Sequence, residues 1–319
     1  MYTNAERSLL WGQMIGAAWG RSILGKNEEV FEACRQQQTP PLKRLQIGSW
    51  SKLCVLLHKQ ARSLVHVNAD LVLEPPELQR YDNQLSRSLR CNSPTSDLDV
   101  ANLLPLSGLA ALPLAPAVIG SLIKDIIQKH SHAVELQCGA ILHTFILHYA
   151  LFEPQNVEQP GSKYIERGFQ ATRDWIAEHI DQTERQSWEQ WCWIYQQSLW
   201  ILQNGHPLTE VQDFLSGTLN RQETVQDFAY RVSISLPLAL HITTLFSPTE
   251  KRLDVMLKFA RAFSAELPSL FALLGAYNGT FNGLDSIEEW MAGSLLSSRY
   301  LKHLPFPRDN EVNPQLQLF

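Results

Sequence analysis

Apolar residues recur at the three- and four-residue spacing of an α-helix wherever this sequence has a readable pattern. One such stripe consists of aliphatic side chains: Ile119, Leu122, Ile123, Ile126 and Ile127. Residues 133–151 are apolar nearly all round, which predicts a helix buried at the centre of the fold. The sequence contains no convincing run of alternating polar and apolar residues, which is the pattern typical of a strand. The pattern predicts an all-α fold.

The uncharged segment 100–123 is long enough to suggest a membrane span. Three prolines interrupt it, at Pro105, Pro113 and Pro116. A loop that runs into a buried helix therefore explains the segment better than a membrane span does.

Aromatic residues crowd segment 183–202, which carries Trp188, Trp191, Trp193, Tyr195 and Trp200. The segment ends at an Asn-Gly pair with a proline just beyond, which is typical of a helix C-terminus. A ligand-binding box is one interpretation of the aromatic residues. Because aromatic residues at helical spacing more often form core, we interpret them as core.

The charge balance and the cysteines indicate which kinds of partner and which cellular compartment to expect. Lys and Arg number 27 against 32 Asp and Glu, so the chain has no general attraction for nucleic acid. The five cysteines are widely spaced and include no C-x-x-C pair, which argues against a disulfide framework or a zinc site. The start of the sequence lacks a signal-peptide pattern. We expect a cytoplasmic protein with reduced, mostly buried thiols.

No segment of the chain is typical of a linker between independent domains. We predict one helical domain at 1–304, with an irregular insertion at about 68–106 and an irregular C-terminal tail at 305–319. A long irregular insertion is suggestive of a lid or a surface for a partner.

Three glycine-containing segments occur in a particular order. The first reads G-Q-M-I-G-A-A-W-G from Gly12, and the second reads S-G-L-A-A-L from Ser107, with H-S-H from His130 further on. The third places glycines at 275, 279 and 283 and ends in L-D-S-I-E-E-W. Together these segments resemble the ADP-ribosylglycohydrolase family, which includes the dinitrogenase-reductase-activating glycohydrolases. The resemblance implies a single-domain orthogonal helical bundle of the ADP-ribosylglycohydrolase type, with a cleft for ADP-ribose.

The resemblance also implies a pair of Mg²⁺ or Mn²⁺ ions, held by a T/S-D-D motif and a D-x-D-T motif. The matching positions in this chain are Ser51, Lys52 and Leu53 for the first motif and Glu266, Pro268 and Ser269 for the second. One of the four expected carboxylates remains, as Glu266. Since hard cations require oxygen ligands, we expect the metal pair to be lost and the chain to hold no metal and no other cofactor.

Two hypotheses concern the site that the resemblance implies. In the first, Lys52 and Glu266 face each other, with the ammonium group in place of the cation; alternatively, both side chains point to solvent. In the second, a ligand cleft is retained and is lined by Ser107, Gly108, His130 and His132. The common alternative for such histidines is a buried, hydrogen-bonded core position.

These interpretations predict a catalytically impaired ADP-ribosylglycohydrolase-like protein, a pseudoenzyme with a binding, regulatory or scaffold role. Its partner would be an ADP-ribose-like nucleotide or a protein, with no nucleic acid and no membrane span involved. The alternative is a metal-independent or weakly active hydrolase that removes ADP-ribose from modified protein or a small ADP-ribosyl substrate, with Glu266 as its general acid or base. A third possibility is a structural subunit whose cleft has filled in.

Overall fold

A computed structural model describes residues 4–23, 79, 83, 100–153, 160–220, 231–245 and 267–283. Within these ranges the chain is 87% helical and has no strand. The predicted all-α class is confirmed.

Eight α-helices and two 3₁₀ helices lie within the described ranges. The 3₁₀ helices are Val100–Asn102 and Leu104–Ala111. In chain order the α-helices are α1 (Asn4–Ile23), α2 (Pro116–Gln128), α3 (Val134–Phe152), α4 (Pro160–His179), α5 (Gln182–Gln203), α6 (Leu208–Leu219), α7 (Val232–Thr244) and α8 (Leu267–Asn282).

Helix α3 is almost entirely buried, as its apolar sequence predicts. Of its 19 residues, 16 are buried, so it is enclosed by other parts of the chain on all sides. The stripe of α2 is also buried, from Ile119 to Ile127. Helix α3 lies within one residue of the predicted 133–151, and the predicted stripe falls within α2.

The uncharged segment before α2 folds into the two 3₁₀ helices and does not continue as one long helix. All eight residues of Leu104–Ala111 are buried. Pro116 begins α2, where the missing amide hydrogen of proline is tolerated. None of the helices in the described ranges has the length and apolar character needed to cross a membrane.

The aromatic residues of α5 divide between the interior and the surface. Trp188 and Tyr195 are buried, as expected for core. Trp193 and Trp200 are 47% and 55% exposed, so the core interpretation is wrong for these two. The helix ends as predicted, with Gly205 beyond it at a φ of 80°.

The chain groups into two compact units. Unit 1 contains residues 1–52, 154–161 and 239–319, and unit 2 contains residues 53–153 and 162–238. Helix α7 supplies residues to both units. The single domain at 1–304 stays a prediction.

Two irregular segments were predicted from the sequence. Within 68–106 the described residues are Gln79, Asn83 and 100–106, and Gln79 and Asn83 are helical. The tail 305–319 lies outside the described residues.

Candidate functional site

Most positions of the two degenerate metal motifs lie outside the described residues. These are Ser51, Lys52, Leu53 and Glu266, so the proposed approach of Lys52 to Glu266 stays a hypothesis. Pro268 and Ser269 lie in the first turn of α8, and Ser269 is half-buried.

Helix α8 packs against α1 through glycines, with backbone touching backbone. A Cβ built on Gly12 would lie 2.0 Å from the Gly275 carbonyl oxygen. Conversely, a Cβ built on Gly275 would lie 1.9 Å from the Gly12 carbonyl oxygen. Since such distances are far below van der Waals contact, each glycine is required for the approach of the other helix.

Two further close approaches show in which directions α1 and α8 run relative to each other. A Cβ on Gly16 would lie 1.9 Å from the carbonyl oxygen of Phe271, and one on Gly279 would lie 2.2 Å from that of Ser8. Residue numbers fall along α8 as they rise along α1, so the helices are antiparallel at the contact. The first and third segments of the family resemblance therefore pack directly against each other.

Ala17, on the same helix α1, occupies the position at which the family resemblance places an acid. Its side chain is buried and apolar. It therefore supplies no oxygen ligand.

The second segment of the resemblance lies in the 3₁₀ helix Leu104–Ala111, where Ser107 and Gly108 are both buried. The Ser107 hydroxyl is hydrogen-bonded to His143 of α3, with 3.1 Å between Oγ and Nε2. Burial lowers the pKa of His143 to about 3, so its ring is neutral at pH 7.

His148, on the same helix, contacts the 3₁₀ helix as well. Its Nδ1 lies 2.9 Å from the carbonyl oxygen of Ala110. Because a carbonyl oxygen can only accept, Nδ1 is the protonated nitrogen. Burial lowers the pKa of His148 too, partly offset by this hydrogen bond. The two histidines therefore fasten the 3₁₀ helix to α3, which is a structural role.

The four residues of the predicted ligand cleft differ in their exposure. Ser107 and Gly108 are buried, His130 is half-buried, and His132 is exposed. The structure pairs Ser107 with His143, a residue that the sequence analysis did not assign to the cleft. The cleft itself stays a prediction.

An ion pair between α3 and the start of α7 was not predicted from the sequence. Arg231 donates to Glu135 through both Nε, at 3.2 Å, and Nη2, at 2.5 Å. The Ser233 amide donates to the same carboxylate at 3.4 Å, and the Tyr195 hydroxyl donates to the Glu135 carbonyl oxygen at 2.8 Å. Both charged side chains are almost fully buried, so the pair joins elements of unit 2 and offers no charge to solvent.

Two cysteines from different helices meet in unit 2. Cys138 of α3 and Cys192 of α5 are both free thiols and both buried. A hydrogen bond between them raises the pKa of Cys138 and lowers that of Cys192. The described residues contain no group of three or more His, Cys, Asp or Glu side chains placed to hold a metal ion.

The outer side of α5 carries an exposed aromatic surface. Trp193 and Trp200 are seven residues apart, which places them on the same side of the helix. The Trp193 ring contacts Phe214 of α6 edge to face, with centroids 5.5 Å apart. Large exposed apolar side chains of this kind are typical of surfaces that bind other molecules.

A search of the chain against protein-family models finds no match, and a search of curated proteins finds none. The family resemblance therefore rests on the three sequence segments alone.

Proposed function

We propose that this chain is a catalytically impaired ADP-ribosylglycohydrolase-like protein with a binding, regulatory or scaffold role. The observation that carries the proposal is the backbone contact between α1 and α8. Two segments that resemble the family, far apart in sequence, pack together as parts of one framework. Their glycines have a definite packing role.

The chemistry at the start of α8 supports the loss of catalysis. Gly275 and Gly279 hold this helix against α1, and its first turn contains Pro268 and Ser269. Proline has no side-chain oxygen for a cation, and serine offers only a neutral hydroxyl. Metal-assisted hydrolysis needs ions that stabilise charge and activate water. Helix α8 is therefore positioned by its glycines, while Pro268 in its first turn has no oxygen where the family motif has its second Asp.

The described surface supports a binding role with a protein partner. Trp193 and Trp200 expose large aromatic side chains, and Phe214 lies against the first of them. Tryptophan is among the residues that contribute most to protein interfaces.

Calorimetric titration of the purified protein with ADP-ribose tests the proposal. The titration is run in Mg²⁺, in Mn²⁺ and in a chelator. Equal binding in all three conditions supports a metal-free nucleotide-binding protein. No binding in any condition leaves the protein-partner form of the proposal. Binding that requires metal contradicts the proposal.

A second experiment restores the missing carboxylates. The triple variant Lys52→Asp, Leu53→Asp and Pro268→Asp is compared with the unmodified chain for Mn²⁺ binding, measured by electron paramagnetic resonance. We expect the variant to bind Mn²⁺ and the unmodified chain not to. The control variant adds three acids on the exposed side of α5, as Gln186→Asp, Gln190→Asp and Gln203→Asp. Equal Mn²⁺ binding by the two variants would show that added charge, and not a family site, is responsible.

The alternative is a metal-independent or weakly active hydrolase that uses Glu266 as general acid or base. General acid–base catalysis by one carboxyl contributes about 10²- to 10⁴-fold. Cleavage of an ADP-ribosyl bond is assayed in chelator for the unmodified chain and for Glu266→Gln. Activity that survives chelation and disappears in the variant would establish this alternative and reject the non-catalytic proposal.

A further inference from the structure

The thiols of Cys138 and Cys192 lie together in the interior of unit 2. Cys138 Sγ is 4.0 Å from the carbonyl oxygen of Trp188, which is one helical turn before Cys192 on α5. Cys138 therefore faces the turn of α5 that carries Cys192.

The helices approach closely at this level. Gly139 follows Cys138 on α3, and a Cβ built on it would lie 2.6 Å from the hydroxyl oxygen of Tyr195, again on α5. A disulfide requires Cβ atoms about 3.5–4.5 Å apart, so the helices that carry the two cysteines must approach closely. Because Gly139 has no side chain, α3 and α5 do so one residue from Cys138.

We propose that Cys138 and Cys192 are an oxidation site at which hydrogen peroxide forms a disulfide between α3 and α5. The inference is independent of the proposed function, since it uses only contacts within unit 2.

The two thiols differ in a way that assigns their order of reaction. The hydrogen bond from Cys138 lowers the pKa of Cys192, and the charge of Arg173 acts in the same direction. The Arg173 guanidinium donates to Gln196, one turn beyond Cys192, at 3.1 Å. Because the thiolate is the nucleophile, the direction of these pKa shifts favours Cys192 as the first to react.

The reaction balances with peroxide as the only oxidant. The Cys192 thiolate attacks one peroxide oxygen, so that an S–O bond forms, the O–O bond breaks and hydroxide leaves. Cys138 then attacks the sulfur of the sulfenic acid, the S–S bond forms, and the hydroxyl group leaves as water with the proton of Cys138. In total, two thiols are oxidised and one peroxide is reduced to water.

Peptide mapping tests the site without ambiguity, because trypsin separates the two cysteines. Cleavage after Lys129 and Lys163 releases residues 130–163, in which Cys138 is the only cysteine, and cleavage after Arg185 and Arg221 releases residues 186–221, in which Cys192 is the only one. The full chain is treated with one equivalent of hydrogen peroxide, alkylated in denaturant and digested without reductant. We expect the two peptides to be recovered joined, and separately after reduction.

Controls separate this disulfide from general oxidation. Cys192→Ala should abolish the joined peptide, whereas Cys91→Ala should leave it unchanged. The oxidised protein should also have a higher Tm than the reduced protein, because the cross-link restricts the unfolded chain. Recovery of both peptides unlinked, alkylated or carrying added oxygen, would overturn the proposal.

Discussion

Four glycines at the α1–α8 contact have no room for a side chain. At Gly12, Gly16, Gly275 and Gly279 the atom nearest to a built Cβ is a backbone carbonyl oxygen of the other helix. A backbone atom cannot rotate away as the end of a side chain can. A methyl group at any of these positions therefore forces the helices apart.

We predict that Gly275→Ala lowers the free energy of unfolding by about 1–3 kcal/mol, the usual cost of overpacking. The matched control is Gly217→Ala in α6, because a Cβ there meets nothing within 4 Å. The control should be neutral or stabilising by up to ~1 kcal/mol, since alanine is the better helix former. Chemical denaturation followed by circular dichroism measures both. Equal losses in the two variants would contradict the described contact.

The lowered pKa of His143 makes the free energy of unfolding depend on pH. Its folded pKa is about 3, below the 6.5 of an unburied histidine. Between these values the unfolded chain binds a proton that the folded chain does not, so stability falls as pH falls below about 6.5. From pH 7 to pH 5 this one group accounts for a loss of about 2 kcal/mol.

The test compares denaturant unfolding at the two pH values for the unmodified chain and two variants. His143→Gln should show a smaller loss between pH 7 and pH 5. Ser107→Ala removes the hydroxyl partner of the ring but keeps the ring itself, so it should be less stable at both pH values with the loss unchanged. An unchanged loss in His143→Gln would show that this histidine does not supply the effect.

Helix α5 shows how far a sequence pattern can predict an element. Its extent and its end at Asn204-Gly205 follow from apolar spacing and from the turn residues. Its buried side does not follow from the sequence pattern. The aromatic residues form two pairs, each with a spacing of seven residues, and the pairs lie on different sides of the helix. Trp188 pairs with Tyr195 inside, and Trp193 with Trp200 outside. Period alone does not indicate which pair faces the core.

The two sides of α5 should respond differently to truncation. Trp188→Ala removes a side chain that is 1% exposed, and we expect a loss of about 3–5 kcal/mol. Trp200→Ala removes one that is 55% exposed, and its cost should stay below ~1 kcal/mol. Urea unfolding measures both variants. A loss in Trp200→Ala as large as in Trp188→Ala would mean that this side of α5 is covered in solution.

The contact of α3 with the start of α7 depends on two buried charges. Glu135 and Arg231 are 96 residues apart, so no local pattern in the sequence could pair them. The one available signal is an acid among apolar residues near the start of α3. An isolated buried charge requires a partner, but the sequence does not say which basic residue supplies it.

Arg231→Met should therefore lower the free energy of unfolding by about 3–5 kcal/mol, because it leaves the Glu135 carboxylate buried and without its ion-pair partner. The double variant Glu135→Leu with Arg231→Met should recover most of that loss, since it removes both charges. Thermal and denaturant unfolding of the two single variants and the double variant give the coupling energy. Additive losses would contradict a direct pair.

At the scale of the whole molecule, the question is whether the two compact units unfold in one transition or in two. Residues of α7 belong to both units, with Ser233 hydrogen-bonded to Glu135 in unit 2 and the last turns in unit 1. The predicted single domain implies one unfolding transition.

We expect a single calorimetric transition whose calorimetric and van't Hoff enthalpies agree. Gly275→Ala alters unit 1 and Arg231→Met alters unit 2, and both should lower the same Tm. Separate transitions, each shifted by only one of the variants, would contradict the single domain.

The candidate site was harder to predict than the fold. Helices α2 and α3 follow from short-range spacing. The glycine spacings of α1 and α8 supported only the family resemblance, and the close approach at Gly12, Gly16, Gly275 and Gly279 is a finding of the structure. The pairing of Ser107 with His143 and the meeting of Cys138 with Cys192 depend on contacts between separate helices. Such contacts leave no periodic trace in either segment.

The glycine contact also has a consequence for the order of events during biosynthesis. Gly12 is translated 263 positions before Gly275. At roughly 5–20 residues per second, α1 waits on the order of ten to fifty seconds for the helix that covers its glycine face. Throughout that interval α1 is without the helix that its glycines contact. A nascent chain of this design has reason to depend on a chaperone until α8 emerges.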